Sequence, residues 1–537
     1  MSKLAKEDKI KSKISAVIIM VWGVIFLAMA QVDTAWVRRW DGPAHGWDQA
    51  TGIAVDSAGN VYVIGFSSGD FVTIKYRPNG DCVWVRLEDF GGDDRPFGLG
   101  VDVLGNVYVT GRGNDRILTV KYDSSGQRLW RRFQGLGTSA RDLALDKEGN
   151  VYICGDTYCY SWDFMTIKYR PNGEIAWVRT RDGAGYEDLA IGVAVSSEGK
   201  VATAGECWHH IGADYLTVLY DSLGSELWHA TYDGPVDNDY VEDIAVDLDG
   251  NTIVTGSSEG VGTSLDYLTI KYNYKGETCW VRRFNGSANE RDEARGVAVG
   301  GDGSVYITGV AQFLETDYDC VTIKYSVDGS VKWVARYDGP VHGPDGGLAI
   351  AVSESGDVYV TGSTWGGITK KEDCATIRYS AQGETMWVRR YSSSYAVAEY
   401  MSELALGPNQ EVCVAGTAYD TSDVPDILVI KYTQGGGVEE GKTEKVTDLT
   451  FAAKPNPCRG LTALSIPLSA QGRTNVRIFD VSGRLVKTLI DGLLPAGVYS
   501  FVWDGTDITG RRVPAGIYIF VLSTQDTIKT SKVTMLE

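Results

Sequence analysis

The sequence predicts an all-β chain: an eight-bladed β-propeller closed by an N-terminal strand, then a small Ig-like β-sandwich. Three observations predict it. One unit recurs eight times between Trp36 and Tyr432, ending at Tyr76, Tyr122, Tyr169, Tyr220, Tyr272, Tyr325, Tyr379 and Tyr432. Such a period, about 40–50 residues with four short strands each, marks propeller blades. The last unit lacks its tryptophan strand, and an orphan copy, Trp36-Val37-Arg38-Arg39, stands at the other end of the propeller. Beyond a Gly/Glu/Lys-rich stretch the pattern changes altogether.

Each element of the unit has a physical reason. Gly52-Ile53-Ala54-Val55 is short, apolar and bounded by turn residues, as a buried inner strand should be. Asp56-Ser57-Ala58-Gly59-Asn60 is a tight turn whose recurring glycine requires positive φ. Val61–Gly65 returns, and Thr73-Ile74-Lys75-Tyr76 is the third strand, alternating with period two. Four residues after each tyrosine comes a second turn glycine, and four later a tryptophan opens the fourth strand, from Trp84 to Trp387. After Tyr432 that position is Glu440. Borrowing Trp36–Arg39 leaves no open join between first and last blades, whereas an open solenoid would leave both unpaired.

The boundaries follow: residues 1–30 a signal peptide, 31–432 the propeller, 433–446 a linker, and 447–537 an Ig-like C-terminal domain. Lysines crowd residues 1–13, Ile14–Ala30 is apolar apart from Ser15, and Ala28-Met29-Ala30 offers small residues for cleavage. Whether cleaved or kept as an anchor, this segment exports the propeller, so the expected location is secreted or outer cell surface, with membrane contact only through the signal segment. Net charge −19 with no basic run outside the signal excludes nucleic acid as a partner. Nine cysteines show no framework spacing, and Cys154/Cys159 is the one local pair worth testing.

Aligning the units gives one candidate site. Five residues before the first apolar residue of the inner-strand core stands an acid in seven of eight units: Asp48, Asp94, Asp188, Asp239, Asp292, Asp345 and Glu399, with Thr138 in the third. Repetition should set these acids round one mouth of the central channel, as a funnel for cationic ligands. The plainer expectation is that each carboxylate accepts backbone N–H groups and shapes its own loop. Neighbours about 8 Å apart would repel by only about 0.5 kcal/mol in water, so the ring demands no metal.

A second periodic acid, from Asp70 to Asp426, is expected to serve turns or ion pairs, and the tryptophans and tyrosines to pack between blades. Cys207-Trp208-His209-His210-Ile211-Gly212-Ala213-Asp214 is the densest irregular stretch. Its spacing matches no standard metal motif, and adjacent histidines in a strand point to opposite faces. Asp247-Leu248-Asp249-Gly250 occupies an ordinary hairpin turn. No metal, cofactor or catalytic residue is therefore expected.

Strings such as GIAVDSAGNVYVIG, GVAVGGDGSVYITG and DYLTIKY resemble the short β-propeller repeat (SBBP) family, often described as seven-bladed; this chain departs from it in having eight units. KPNPCRG, VRIFDVSGRLVKTL, PAGVYSFVWDGTDITGRRVPAGIYIFVL and the final KTSKVTMLE resemble the C-terminal sorting domain of type IX secretion and the Ig-like domain of the flagellar hook-capping protein. Gly126–Trp130 is similar to an element of eight-bladed quinone-cofactor dehydrogenases, but their vicinal cysteine pair is missing. The resemblances imply an exported, cell-surface, non-catalytic propeller that binds a surface ligand, glycan or protein and meets the secretion machinery through its C-terminal domain. Two alternatives stand beside this. One is a secreted polysaccharide hydrolase or lyase with an acidic site at the channel mouth; the other is a structural surface or adhesion component.

Overall fold

The computed structural model describes residues 32–135, 138–158, 161–182, 186–366, 372–392, 398–419, 424–434, 452–454, 462–468, 472–494, 497–503, 505–508, 511–524 and 528–536. The expected signal peptide, residues 1–30, lies outside them, as does the expected linker beyond Gln434. Every named element is a strand, and no helix among the described residues is long and apolar enough to cross a membrane. The chain divides into two compact units at Gly437/Val438.

The N-terminal unit is built in a propeller-like arrangement from six four-stranded antiparallel sheets and one eight-stranded sheet, in which the seventh and eighth repeats join at a single parallel bridge, Glu372 to Ala398. In the first repeat the strands are Asp48–Val55, Val61–Ser67, Asp70–Tyr76 and Cys82–Glu88, hydrogen-bonded in chain order. The second and third strands are buried on both faces, because neighbouring sheets cover them. They therefore read as continuous apolar runs. The first strand of each repeat lies against that of the next, and Ala398–Leu406 lies against Asp48–Val55. Val32–Trp40 pairs antiparallel with Pro425–Gln434, with Val37 opposite Ile430 and Trp40 opposite Ile427.

The inner strand is longer than its apolar core suggests. It begins at Asp48 rather than Gly52 and carries a bulge between Ala50 and Gly52. The same bulge recurs in every repeat, skipping Thr51, Phe97, Arg141, Ile191, Glu242, Arg295, Leu348 and Ser402. A bulge bends the strand and re-aims the side chain that follows it.

The aromatic residues lock one repeat to the next. Each fourth-strand tryptophan stacks on the third-strand tyrosine of the following repeat, from Trp84–Tyr122 at 6.2 Å to Trp387–Tyr432 at 6.2 Å between ring centroids. Trp36 does the same with Tyr76 at 5.8 Å. From Trp36 to Trp333 the indole N–H donates to a turn carbonyl of that next repeat, as in Trp36 to Pro78 at 2.9 Å and Trp280 to Val327 at 3.0 Å. The second turn glycine is fixed by this contact as well as by its backbone. Gly224 has φ +83°, and a Cβ there would lie 2.8 Å from the Trp177 ring. Gly224→Ala is expected to cost about 2 kcal/mol or more, read as a lowered unfolding midpoint, since left-handed strain and overpacking add.

The C-terminal unit holds two sheets. One contains Ala452–Lys454, Thr462–Leu468 and Gly497–Trp503; the other contains Leu485–Leu494, Gly472–Asp480, Gly516–Ser523 and Ile528–Met535. Leu464, Val476, Ile478, Trp503, Phe520 and Val533 form its core.

Candidate functional site

The repeated acids are buried and accept backbone N–H groups of their own loops, as the plainer of the two sequence expectations has it. Asp48, Asp94, Asp188, Asp239, Asp292 and Glu399 are 0% exposed and Asp345 is 2% exposed. Asp94 accepts from the N–H groups of Phe90 at 2.6 Å and Asn114 at 3.0 Å. Asp292 accepts from Gly286 at 2.5 Å and Gln312 at 2.7 Å, Asp345 from Gly339 and Trp365, Asp48 from Gly42, and Asp239 from Gly234. The odd repeat shows the same job done by a hydroxyl: Thr138 Oγ1 accepts from the Ile117 N–H at 3.1 Å and donates to the Gln134 carbonyl at 3.1 Å. Burial raises the carboxyls of Asp48, Asp94, Asp239 and Asp345, and that of Asp292 to about 6. The position reads as a channel mouth only while the strand is assumed to begin at its apolar core; the three extra residues before the bulge draw it under the loop.

Three of the second set of acids meet arginines of the fourth strand. Arg39 lies 2.9 Å from Asp426 and Arg283 lies 3.3 Å from Asp266, while Arg336 pairs with Asp319. The Asp247 turn is filled by protein donors: its carboxylate accepts from Asp249, Asn251 and Lys271, the last at 2.8 Å. Cys154, Cys320 and Cys374 are free buried thiols, and Cys159 lies outside the described residues.

The acids that line the central cavity were missed. A cavity of about 440 Å³ is lined by inner-strand residues of all eight repeats, among them Gly52, Gly98, Asp142, Gly192, Asp243 and Glu403. The residue just after the bulge sets its wall. It is Gly52, Gly98, Gly192, Gly296 or Ala349 in five repeats and Asp142, Asp243 or Glu403 in the other three. Asp142 accepts from the N–H groups of Leu143 at 2.6 Å and, in the next repeat, Val193 at 2.9 Å. Asp243 likewise takes Ile244 and Val297, both at 2.8 Å. Burial pushes Asp142 up to about 6 and Asp243 up to about 7; burial and the two neighbouring acids push Glu403 up to about 8. The cavity's arginines are paired with other acids, Arg141 with Asp156 at 3.5 Å and Arg295 with Glu293 and with Glu242, which also lines the cavity. An acid where other repeats have glycine or alanine was the sequence signal, visible directly before Leu143, Ile244 and Leu404.

A second hollow, about 390 Å³, lies on the sixth and seventh repeats and is lined by Arg291, Glu293, Arg295, Tyr318, Glu372 and the ring acid Asp345 among others. Its buried Glu293 is ion-paired to both arginines.

Two family models match the chain. Residues 45–71 match a β-propeller repeat (SBBP), and residues 462–527 match the FlgD Ig-like domain. The chain thus carries a propeller repeat of that type and a C-terminal Ig-like domain. No curated protein matches its sequence significantly. Among solved structures, the WD40 domain of Neurospora crassa Pan2 is 8% identical with a TM-score of 0.41, covering 77% of this chain and 98% of that one. PorZ, described as an essential bacterial surface component of the type IX secretion system of Porphyromonas gingivalis, is 13% identical with a TM-score of 0.24, covering 91% and 81%. The polysaccharide lyase Uly1 is 9% identical with a TM-score of 0.40, covering 63% and 90%. These likenesses are too distant to speak to function.

Proposed function

We propose that the chain is an exported, non-catalytic propeller of eight blades closed into a ring by Val32–Trp40, whose channel binds a ligand bearing amine or guanidinium groups. The observation that carries this is the trio Asp142, Asp243 and Glu403, set into one cavity at positions that are otherwise glycine or alanine. No guanidinium or ammonium pairs with them among the described residues. The net charge of −19 would draw cations toward them. The cavity's volume, about 440 Å³, falls in the range of small-molecule sites. Closure is supported by the Val37–Ile430 register, by the Trp36–Tyr76 stack, and by the contact of the first and last inner strands. The lysine-rich apolar N-terminus supports export, and the Ig-like domain supports display at the outer cell surface through the secretion machinery. A partner protein offering a basic side chain would serve the same site as a free amine.

Calorimetric titration of the full chain with a linear polyamine at pH 8.5, where all three carboxyls are largely ionised, tests this. Binding is expected, and the double variant Asp243→Asn/Glu403→Gln should weaken it by at least about tenfold, or about 1.4 kcal/mol. Binding that ignores the double variant would overturn the site. Turnover of a polysaccharide would favour the enzyme reading instead, with Glu403 as a proton donor of raised pKa.

A further inference from the structure

The stretch around Cys207 holds a convergence that strand alternation creates. Val201–His209 and Gly212–Tyr220 form a hairpin, with Cys207 opposite Asp214 and His209 opposite Gly212. Cys207 and His209, two residues apart, share one face; His210 follows in the turn. The ligand atoms of Cys207, His209 and Asp214 all lie within 4.8 Å of one another. Cys207 Sγ is 3.6 Å from His209 Nε2, and that same nitrogen is 2.9 Å from Asp214 Oδ2.

One nitrogen facing both partners decides between two chemistries. A thiol–imidazole–carboxylate relay needs the thiol on one ring nitrogen and the carboxylate on the other. Here both contacts fall on Nε2, so the three atoms point to a common centre. Ligands bound at about 2.3 Å (sulfur) and about 2.0–2.1 Å (nitrogen) to one tetrahedral ion lie about 3.5 Å apart, which matches the Sγ–Nε2 spacing. We propose that Cys207, His209 and Asp214 bind a divalent transition metal of the zinc class.

Among the described residues the cysteine–histidine pair belongs to this repeat alone. The position of Cys207 is Ser67, Ser258 or Thr364 in other repeats. In three other repeats an arginine three residues after the fourth-strand tryptophan neutralises the third-strand acid, as Arg39, Arg283 and Arg336 do. Here that position is Thr231, and His209 stands beside Asp214 instead. Asp233 and Asp239 gather round Asp214 as well, as acids also do at Asp41/Asp48/Asp426, Asp70/Asp89/Asp94 and Asp319/Asp338/Asp345, so the cysteine and histidine are what this repeat adds; Asp188 lies opposite Cys207 in the first strand. Arg181 is the cation acting on the thiol. A thiolate, an imidazole and carboxylates are the donor set of zinc rather than of calcium. Burial and the Asp188 and Asp214 charges hold the Cys207 thiol up to about 12, so it keeps its proton in the metal-free protein. On binding, the sulfur–hydrogen bond breaks, the sulfur pair goes to the metal, and the proton leaves to water.

Cobalt(II) reports the geometry. The full chain, stripped with a chelator, should take up one equivalent and show a thiolate-to-cobalt charge-transfer band with intense tetrahedral d–d bands, both erased by zinc. Cys207→Ser places in this repeat the residue found at Ser67 and Ser258, so it should fold; it should lose the charge-transfer band. His209→Gln and Asp214→Asn should each weaken zinc at least about tenfold. Zinc should raise the unfolding midpoint of the parent chain and leave that of Cys207→Ser unchanged. Absence of the charge-transfer band, its survival in Cys207→Ser, or displacement of cobalt by calcium as readily as by zinc would overturn the proposal.

Discussion

Replacing Trp36 by alanine is expected to destabilise the N-terminal unit by about 3–5 kcal/mol, as loss of a buried tryptophan does. Trp36 is 7% exposed although it stands near the chain's beginning. It stacks on Tyr76, donates to Pro78, and packs against the Gly80 turn, where Arg38 Nε donates to the carbonyl at 2.6 Å. Trp280, deep within the repeat series, makes the same set: it stacks on Tyr325 at 5.6 Å and donates to Val327, while Arg282 donates to Gly329 at 2.5 Å. The two alanine variants should therefore lose similar stability, within about 1 kcal/mol, in chemical unfolding followed by tryptophan fluorescence. A Trp36 variant as stable as the parent would mean that Val32–Trp40 is an appendage rather than the last strand of a ring.

The second large effect is a gain. Glu403→Gln is expected to raise stability by about 2 kcal/mol or more at pH 8.5 and to change it little at pH 4. Glu403 is raised from 4.5 to about 8, and Asp243 and Asp142 are raised from 3.8 to about 7 and about 6. A carboxyl with a raised folded pKa holds its proton more tightly folded than unfolded. Its contribution is then whole below the unfolded pKa and lost as pH climbs to the folded one. The trio should thus make stability fall from about pH 4 to about pH 8, with Glu403 losing its share last. Glu242, Arg141 and Arg295 share the cavity, but both arginines are tied to other acids. Unfolding of parent and variant across that range is the check. Equal slopes would show that Glu403 is ionised in the folded chain at neutral pH, against the burial that its surroundings impose.

The fold was legible because each repeat states its strands twice, once by apolar period and once by the glycine that turns them. The Trp–Tyr spacing carried the contacts between sheets, and the stray Trp36-Val37-Arg38-Arg39 carried the pairing with Pro425–Gln434. The bulge was not legible. It falls in a polar stretch, Gln49-Ala50-Thr51, with no glycine or proline common to all repeats, so the inner strand looked four residues long. That error moved the periodic acids to a channel mouth they do not line. It also hid Asp142, Asp243 and Glu403, which a repeat alignment reports as departures from the consensus rather than as part of it. The metal-ligating trio was obscured for a related reason: alternation separates His209 from His210, and the same alternation brings His209 onto the face of Cys207 and Asp214.

Hydrogen exchange at the amides of Val37–Trp40 tests the closed ring most directly. Paired along one edge to Leu428, Ile430 and their neighbours, the alternate amides of this outer strand that face Pro425–Gln434 should exchange only when the whole propeller unfolds, as slowly as the matching inward amides of the outer strand Thr278–Phe284. Exchange at the rate of an open strand, while the inward amides of Thr278–Phe284 stay protected, would contradict the ring and remove the enclosed channel with it.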